Sequence, residues 1–158
     1  MFNLKEYLKK SSEIILSLSS YENQVNEICK EINYCSNNSR KILVAGNGGS
    51  CSDCEHFVGE LQCTFKDRNR KPFSAISLPS LPAAITAWSN DFGFGSFYKR
   101  QVEAHGKEGD ILFLISTGGG EIKSGASMSL VDAAKEAKKR KMKVIALIGK
   151  TGGLLKNL

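Results

Sequence analysis

The sequence lacks several features that define whole classes of protein. No apolar run among its 158 residues is long enough to span a membrane. Residues 1–20 contain neither a clean apolar core nor a small-residue cleavage site, so we expect no secretion signal. The five cysteines are an odd number and lack the spacing of a disulfide scaffold. Together these absences favour a globular protein in a reducing, cytoplasmic compartment.

The charge of the chain does not indicate a nucleic-acid-binding protein. The formal net charge is only +6, and the basic residues gather in two segments, 66–71 and 135–143. The second segment falls at the C-terminal end of a predicted helix, where the helix dipole favours cations. We therefore interpret both segments as solvated surface and expect neither a nucleic-acid partner nor a membrane partner.

The order of helical and apolar segments predicts an α/β fold in one domain, residues 1–158. Residues 3–36 contain no Pro or Gly and carry apolar residues at helical spacing, which predicts N-terminal helices over residues 1–36 with a break near residues 19–20. From residue 41 onward, short apolar strands alternate with helices. This order is typical of a parallel sheet with helices on both faces, a three-layer α/β/α sandwich. The predicted strands are 42–45, 73–78, 111–115 and 144–148, and the predicted helices are 50–65, 82–89, 94–105 and 127–140.

Three of the four predicted strands end in polar, glycine-rich segments: 46–50, 116–120 and 149–153. Ligands of parallel α/β sheets bind at the carboxyl ends of the strands. In the first segment we expect Ser50 to cap the helix that follows, so that backbone N–H groups and a helix N-terminus face an anion or sugar hydroxyls. The sequence therefore predicts a site for a phosphorylated small molecule.

Two common nucleotide-binding motifs are absent. Gly46 and Gly48 could begin a dinucleotide fingerprint, but the next required glycine position is occupied by Cys51. The segment 149–151, Gly-Lys-Thr, is similar to the end of a P-loop, but Val144 stands where the first glycine should be. We therefore exclude both kinds of nucleotide site.

The helix predicted after the first glycine-rich turn carries polar residues on one side. Asp53, His56 and Glu60 follow one another at spacings of three and four residues, which places them on one face. His56 and Glu60 can form a simple hydrogen-bonded pair one turn apart. The same pair can also bind a divalent metal, or hold a carboxylate that takes a proton beside a carbonyl.

Cys51 and Cys54 form a CxxC motif within this helix. A structural zinc site would need further ligands, usually from a second paired cluster, and that cluster is absent. A redox pair would require a lowered pKa at Cys51, which a helix N-terminus can provide. We favour the third interpretation, in which both cysteines are small residues packed against the core.

Taken in order along the chain, these motifs resemble the phosphoheptose isomerase family, which has the sugar-isomerase (SIS) fold. The matching segments are AGNGGS at 45–50, the D-x-x-H-x-x-x-E spacing at 53–60, SNDFGF at 89–94 and IST at 115–117. The resemblance implies a flavodoxin-like parallel sheet. It also implies a homotetramer with sites between subunits and one zinc ion per subunit.

The implied reaction converts sedoheptulose 7-phosphate into D-glycero-D-manno-heptose 7-phosphate for bacterial lipopolysaccharide or capsule. The resemblance makes Glu60 the proton-transferring carboxylate and makes His56 and Glu60 zinc ligands. Segment 90–94 reads as a polar turn in which Asp91 either caps the next helix or, with Asn90, binds a polyol. The implied substrate-binding residues are Asn47, Gly48, Gly49, Ser50, Glu60, Asn90, Asp91, Ser116, Thr117, Ser124 and Ser127.

Two departures from the family pattern shape the remaining expectations. The phosphate loop is longer than the family's, so Ser124 and Ser127 are its displaced second half, with Ser127 alternatively a helix N-cap. In that loop Glu121 adds a negative charge that Lys123 could offset. The family's last strand and C-terminal helix, which supply further zinc ligands, have no counterpart before Leu158, so we expect a fragment or a naturally short chain. The alternatives are a non-catalytic SIS-domain protein of the kind that binds the replication initiator, or an isomerase for another sugar phosphate.

Overall fold

Helices form the N-terminal part of the chain, as their apolar spacing predicts. The computed structural model describes residues 2–158. Helix α1 spans Leu4–Ser17, a 3-10 turn covers Leu18–Tyr21, and α2 spans Glu22–Asn37. The turn lies at the predicted break. There the hydroxyls of Ser17 and Ser20 donate to backbone carbonyls three residues earlier, and such local bonds compete with a regular helix.

The chain divides into two compact units, with the boundary between Tyr34 and Cys35. In the first unit, Asn3 caps α1 by accepting a hydrogen bond from the backbone N–H of Glu6 at 3.1 Å. No residue of α1 is buried. Eight large side chains in α1 and the following 3-10 turn are more than half exposed: Leu4, Tyr7, Leu8, Ile14, Ile15, Leu16, Leu18 and Tyr21.

The second unit is built on a four-stranded parallel sheet with the strand order β2-β1-β3-β4. This is the order of a flavodoxin-like sheet, in which the chain reverses its direction of winding between β1 and β3. The strands are β1 (Ile42–Gly46), β2 (Ala75–Ser77), β3 (Ile111–Ser116) and β4 (Lys143–Ile148). The helices are α3 (Gly49–Gln62), α4 (Pro82–Phe92), α5 (Phe97–His105) and α6 (Met128–Lys139), with 3-10 turns at Phe94–Ser96 and Leu154–Asn157.

Strands β1, β2 and β3 are largely buried between helices, which confirms the predicted three-layer α/β/α arrangement, whereas the edge strand β4 is partly exposed. On one face, Leu43 and Leu112 pack in a core that contains Val102 of α5 and Leu130 of α6. On the other face, Phe113 meets Phe57 of α3, with ring centroids 4.9 Å apart. Near-continuous apolar strands are what such two-sided burial requires.

A buried carboxylate joins the beginnings of β1 and β3. The side chain of Asp110 is 2% exposed, and its Oδ2 lies 2.5 Å from the ammonium of Lys41. Its two oxygens also accept backbone N–H groups from Lys41 at 3.0 Å and Lys107 at 2.8 Å. Since these bonds satisfy both oxygens, the charge is buried without being left unpaired.

Several predicted boundaries differ from the structure for local reasons. Strand β2 is shorter than the predicted 73–78, because the backbone N–H of Phe73 donates to Leu61 at the end of α3 instead of to a strand. The predicted polar turn at 90–94 is wrong, since Asn90 and Asp91 lie in the last turn of α4 and Asp91 caps no helix. Helix α4 ends only at Phe92, and Gly93 follows as its C-cap with a φ of +81° that suits a glycine.

We predict that Asp110→Ala destabilises the protein by about 3 kcal/mol, because removing one partner of a buried ion pair leaves the other uncompensated. Urea unfolding followed by circular dichroism measures this change. Glu108→Ala is the matched control, since Glu108 and Lys141 form an exposed pair at 3.5 Å. The control should change the unfolding free energy by less than about 0.5 kcal/mol. Equal losses of unfolding free energy in the two variants would show that Asp110 does not stabilise the contact between β1 and β3.

Candidate functional site

A cavity of about 270 Å³ lies at the carboxyl ends of β1 and β3, where the strand order reverses. Open parallel sheets bind their ligands at this kind of position. The structure thus brings together two glycine-rich segments that are about 70 residues apart in the sequence. The lining residues are Asn47, Gly49, Ser50, Asp53, Ile115, Ser116, Thr117 and Ser127.

The turn after β1 is a close approach between a strand and a helix. Gly48 occupies the N-cap position of α3 with φ +58° and ψ −125°, a conformation that favours glycine. A Cβ at Gly46 would lie 2.6 Å from the backbone oxygen of Ser50, so only glycine fits there. The prediction that Ser50 caps the helix is wrong, because Ser50 lies within the first turn of α3 and no side chain caps it. The first-turn N–H groups therefore have no capping side chain.

Asn47 lines the cavity and carries a buried acceptor that has no partner among the described residues. Its amide nitrogen Nδ2 donates to the hydroxyl of Ser129 at 3.3 Å, which fixes the orientation of the side chain. The amide oxygen Oδ1 is buried and has no hydrogen-bond partner among residues 2–158. Buried polar atoms are nearly always paired in native proteins. A ligand hydroxyl would therefore satisfy this oxygen.

The segment after β3 contributes hydroxyl groups to the same cavity. Ser116 is only 6% exposed, and its Oγ accepts a hydrogen bond from the backbone N–H of Gly119 at 3.0 Å. The Oγ atoms of Ser116 and Ser127 are 3.5 Å apart. Ser127 occupies the N-cap position of α6 with φ +56°, yet its side chain makes no capping bond. Its hydroxyl is therefore available to a ligand at the start of α6.

The glycines of this segment also serve close packing. A Cβ at Gly119 would overlap the carbonyl oxygen of Gly152, and a Cβ at Gly153 would overlap that of Gly118. The backbone N–H of Leu155 donates to the carbonyl of Gly119 at 2.8 Å. The segment after β4 therefore holds the Ser116 loop in position from the side opposite β1.

Ser124 lies outside the cavity. Its hydroxyl donates to Oε2 of Glu121 at 2.6 Å and accepts the backbone N–H of Ala126 at 3.3 Å. A further backbone bond from Glu121 to Ala126 closes this exposed loop on itself. Neither Glu121 nor Lys123 belongs to the cavity lining. The inserted residues thus form a local loop beside the site, and the hydroxyl of Ser124 is already occupied.

His56 and Glu60 form the expected pair on α3, beyond the residues that line the cavity. Nε2 of His56 lies 3.3 Å from Oε1 of Glu60, and their side chains are 79% and 38% exposed. Oε2 of Glu60 is buried and has no hydrogen-bond partner among the residues described. The guanidinium of Arg70 donates to the backbone carbonyls of Glu60 and Leu61, which holds the end of α3.

As a donor set, His56 and Glu60 fit part of a zinc site, since an imidazole nitrogen and a carboxylate oxygen are common zinc ligands. The orphaned Oε2 of Glu60 is an additional acceptor beside them. Within residues 2–158, no group of three or more His, Cys, Asp or Glu side chains could hold a metal ion. Two of the usual four donors are therefore all that the described residues supply.

Asn90 and Asp91 lie apart from the cavity, at the end of α4. The amide of Asn90 donates to Oδ1 of Asp91 at 2.8 Å, and both residues are exposed. Gly48 is also absent from the lining, although both of its neighbours in the sequence approach the cavity. Part of the predicted substrate-binding set therefore lines the cavity, and the rest lies outside the lining.

A second cavity of about 460 Å³ adjoins the first and extends to the end of β4. The two cavities share Ser50, Asp53, Ile115, Ser116 and Thr117. The two charged lining residues, Asp53 and Lys150, are not among the substrate-binding residues expected from the sequence. Two features of the sequence could have indicated these residues. Asp53 lies on the same helix face as His56, and Lys150 belongs to the glycine-rich segment 149–153. The second cavity adds Leu147, Ile148, Gly149 and Lys150.

The structure does not support a redox function for the CxxC motif. Burial raises the pKa of the Cys54 thiol to about 12, and burial likewise raises the pKa of Cys51. The lowered Cys51 pKa that the redox alternative would require is therefore absent. All five cysteines are free thiols. Cys54 is fully buried, as the core-packing interpretation requires.

Comparison with known proteins identifies the family to which this chain is related. The family model for the SIS domain matches residues 6–149. The chain is 39% identical over 154 residues to the phosphoheptose isomerase of Helicobacter pylori (strain P12), which covers 98% of this chain and 77% of that protein. The chain belongs to the phosphoheptose isomerase family of SIS-domain proteins. It is also 46% identical over 121 residues to the Bordetella avium phosphoheptose isomerase, of which it spans 58%.

Two solved structures share this fold. A phosphoheptose isomerase from Francisella tularensis superposes with a TM-score of 0.89 at 34% identity, covering 98% of this chain and 78% of that one. The phosphoheptose isomerase GmhA from Neisseria gonorrhoeae gives a TM-score of 0.81 at 30% identity, with 99% and 80% covered. The architecture described above is therefore that of the phosphoheptose isomerases.

We predict that Gly119→Ala disrupts the site, because the new Cβ would overlap the Gly152 carbonyl and because Gly119 has φ +70°. The variant should bind inorganic phosphate at least about tenfold more weakly, a loss of about 1.4 kcal/mol, when measured by isothermal titration calorimetry. Gly118→Ala is the control, since a Cβ at Gly118 meets nothing within 4 Å. Unchanged phosphate binding in a folded Gly119→Ala protein would contradict the role of this packing.

Proposed function

We propose that this protein interconverts sedoheptulose 7-phosphate and D-glycero-D-manno-heptose 7-phosphate, a ketose–aldose isomerisation. The observation that carries the proposal is the cavity at the ends of β1 and β3. It combines serine and threonine hydroxyls, an amide oxygen without a partner and the beginning of a helix in a chain of the phosphoheptose isomerase family. The product would serve bacterial surface polysaccharide.

The phosphate of the substrate would occupy the β3 side of the cavity. Ser116, Thr117 and Ser127 can donate hydroxyl hydrogen bonds there, and the positive end of the α6 dipole favours an anion. Ser124 makes its bonds within its own loop and does not take part. In this arrangement most of the hydrogen-bond donors to the phosphate are uncharged hydroxyl groups. Their positions would select for the shape of a phosphomonoester.

The sugar chain would extend from the phosphate toward α3. The unpaired amide oxygen of Asn47 accepts a hydroxyl, and the carboxylate of Asp53 accepts another on the same side of the cavity. The backbone N–H of Ser50 already donates to the carbonyl of Asn47 at 3.1 Å, so the N–H of Gly49 at the start of α3 would face an oxygen atom of the ligand. The substrate would therefore run from the end of β3 along the beginning of α3.

Glu60 is the proposed base. An enediol mechanism needs one group that moves a proton from the hydroxyl-bearing carbon beside the carbonyl to the former carbonyl carbon, while a second proton passes from the hydroxyl oxygen to the carbonyl oxygen. The group that transfers this second proton would come from outside the residues described. Oε2 of Glu60 has no hydrogen-bond partner, so it can accept the proton from carbon. His56, 3.3 Å from the other carboxylate oxygen, holds the side chain in place.

We extend the proposal to zinc, which His56 and Glu60 would hold together with donors from outside the residues described. When bound, zinc polarises oxygen atoms of its ligands and stabilises negative charge that develops on them. The fit rests on the donor set of the pair and on the orphaned Oε2 of Glu60.

A homotetramer is also part of the proposal, with sites completed between subunits. It is supported by the apolar side chains that α1 and its following turn expose, because exposed apolar groups at helical spacing favour association. The lining of the β1–β3 cavity does not include His56, Glu60, Asn90 or Asp91. In such an assembly, these residues would contact a substrate bound at an interface between subunits. Free cysteines throughout are consistent with a reducing cytoplasm. No described helix has both the length and the apolar character needed to cross a membrane.

The test is to incubate the protein with sedoheptulose 7-phosphate, with and without zinc, and to follow aldose formation. Glu60→Gln should lower kcat by at least about 100-fold, since it removes the general base but keeps the shape of the side chain. Glu55→Gln is the matched control on the same helix, where Glu55 is exposed and only accepts the hydroxyl of Ser80 at 3.1 Å. Its kcat should stay within about twofold.

Two results would contradict the proposal. Full activity in Glu60→Gln would remove Glu60 from the proton transfer. No aldose product from the tetrameric wild-type protein, with zinc present and with sugar phosphate shown to bind, would favour a non-catalytic SIS-domain protein instead.

A further inference from the structure

A lysine at the end of β4 stands beside the candidate phosphate site. Lys150 lines the second cavity together with Ser116 and Thr117, both of which also line the first cavity. The family resemblance implies no role for Lys150. In the sequence this residue stands out only because segment 149–151 is similar to the end of a P-loop. Its position nevertheless places a primary ammonium group at the edge of a cavity rich in hydroxyls.

The backbone around Lys150 is held against the Ser116 loop. The N–H of Gly149 donates to the carbonyl of Ser116 at 3.1 Å, and the N–H of Gly152 donates to the carbonyl of Gly149 at 3.0 Å. Lys150 itself has φ +49°, in the left-handed region that disfavours residues other than glycine. The tight turn therefore fixes the Cα of Lys150 relative to the phosphate site, while the side chain remains long enough to reach a ligand.

The ammonium of Lys150 has no counter-ion in the described part of the chain. No ion pair or side-chain hydrogen bond joins it to another of residues 2–158, and Lys150 is the single basic residue among those that line the two cavities. The single acidic residue of the same linings is Asp53, which α3 contributes to both cavities. The phosphate donors described so far are all neutral, so the site lacks a positive charge without Lys150.

We propose that Lys150 binds the phosphate group of a sugar phosphomonoester seated on Ser116 and Thr117. The ammonium would approach the phosphate from the β4 side, opposite the hydroxyls of the β3 segment. A charge-assisted hydrogen bond of this kind is stronger than a neutral one, and Lys acts here as a point charge on a flexible stem. Lys150, not Lys123, then supplies the charge that a dianion requires. The identity of the sugar rests on the proposed function, but the binding of the anion does not.

The experiment measures the binding of inorganic phosphate by isothermal titration calorimetry, together with KM and kcat for sedoheptulose 7-phosphate. Lys150→Met keeps most of the side-chain stem and removes the charge. It should weaken phosphate binding by about tenfold, raise KM by about the same factor, and reduce the dependence of both on salt. Lys150→Arg should restore phosphate binding to within about threefold of wild type, because it keeps the charge in the same turn.

Lys123→Met is the matched control, because Lys123 belongs to the neighbouring loop but lines neither cavity. The proposal is overturned by phosphate binding in Lys150→Met that equals wild type. Failure of Lys150→Arg to rescue, or an equal loss in Lys123→Met, would also overturn it, since the effect would then come from the turn or from net charge. If wild type binds phosphate and Lys150→Met weakens that binding while no variant isomerises the sugar, the assignment of Lys150 stands and the proposed function fails.

Discussion

The pairing of β1 with β3 is the interaction on which the candidate site depends. Their parallel register runs from Ile42 opposite Ile111 to Gly46 opposite Ile115. It brings the turn that begins at Asn47 beside the segment that begins at Ser116. At the other end of the strands, Asp110 and Lys41 join the same two strands through a buried ion pair. A slip of one residue would exchange the faces of the strand and separate the two segments.

The packing of glycine against glycine extends this constraint to β4. Because a Cβ at Gly119 would overlap the carbonyl of Gly152, the segments after β3 and β4 pack directly against each other. Residues from all three glycine-rich strand ends thus line the two adjoining cavities. The end of β3 contributes the hydroxyl groups of Ser116 and Thr117, the end of β1 contributes Asn47 and the start of α3, and the end of β4 contributes Lys150.

Much of this arrangement could be predicted from local sequence signals. The apolar runs that become β1 and β3 are short, are bounded by polar glycine-rich turns, and lie in a βα order that allows few topologies. The positions of Asn47, Ser50, Ser116 and Thr117 follow from the rule that strand ends meet at one edge. Ser124 was expected at the phosphate because its spacing fits, but its bond to Glu121 is a local contact that the spacing does not reveal. Lys150 was missed because its proximity depends on contacts between segments about thirty residues apart.

The most direct test of the account is a crystal structure of the protein with sedoheptulose 7-phosphate bound. The account predicts that the phosphate oxygens lie within hydrogen-bond distance of the hydroxyls of Ser116 and Thr117, at the end of β3, with the sugar extending toward α3. A phosphate found instead against the basic segments 66–71 or 135–143, with the β1–β3 cavity empty, would contradict it.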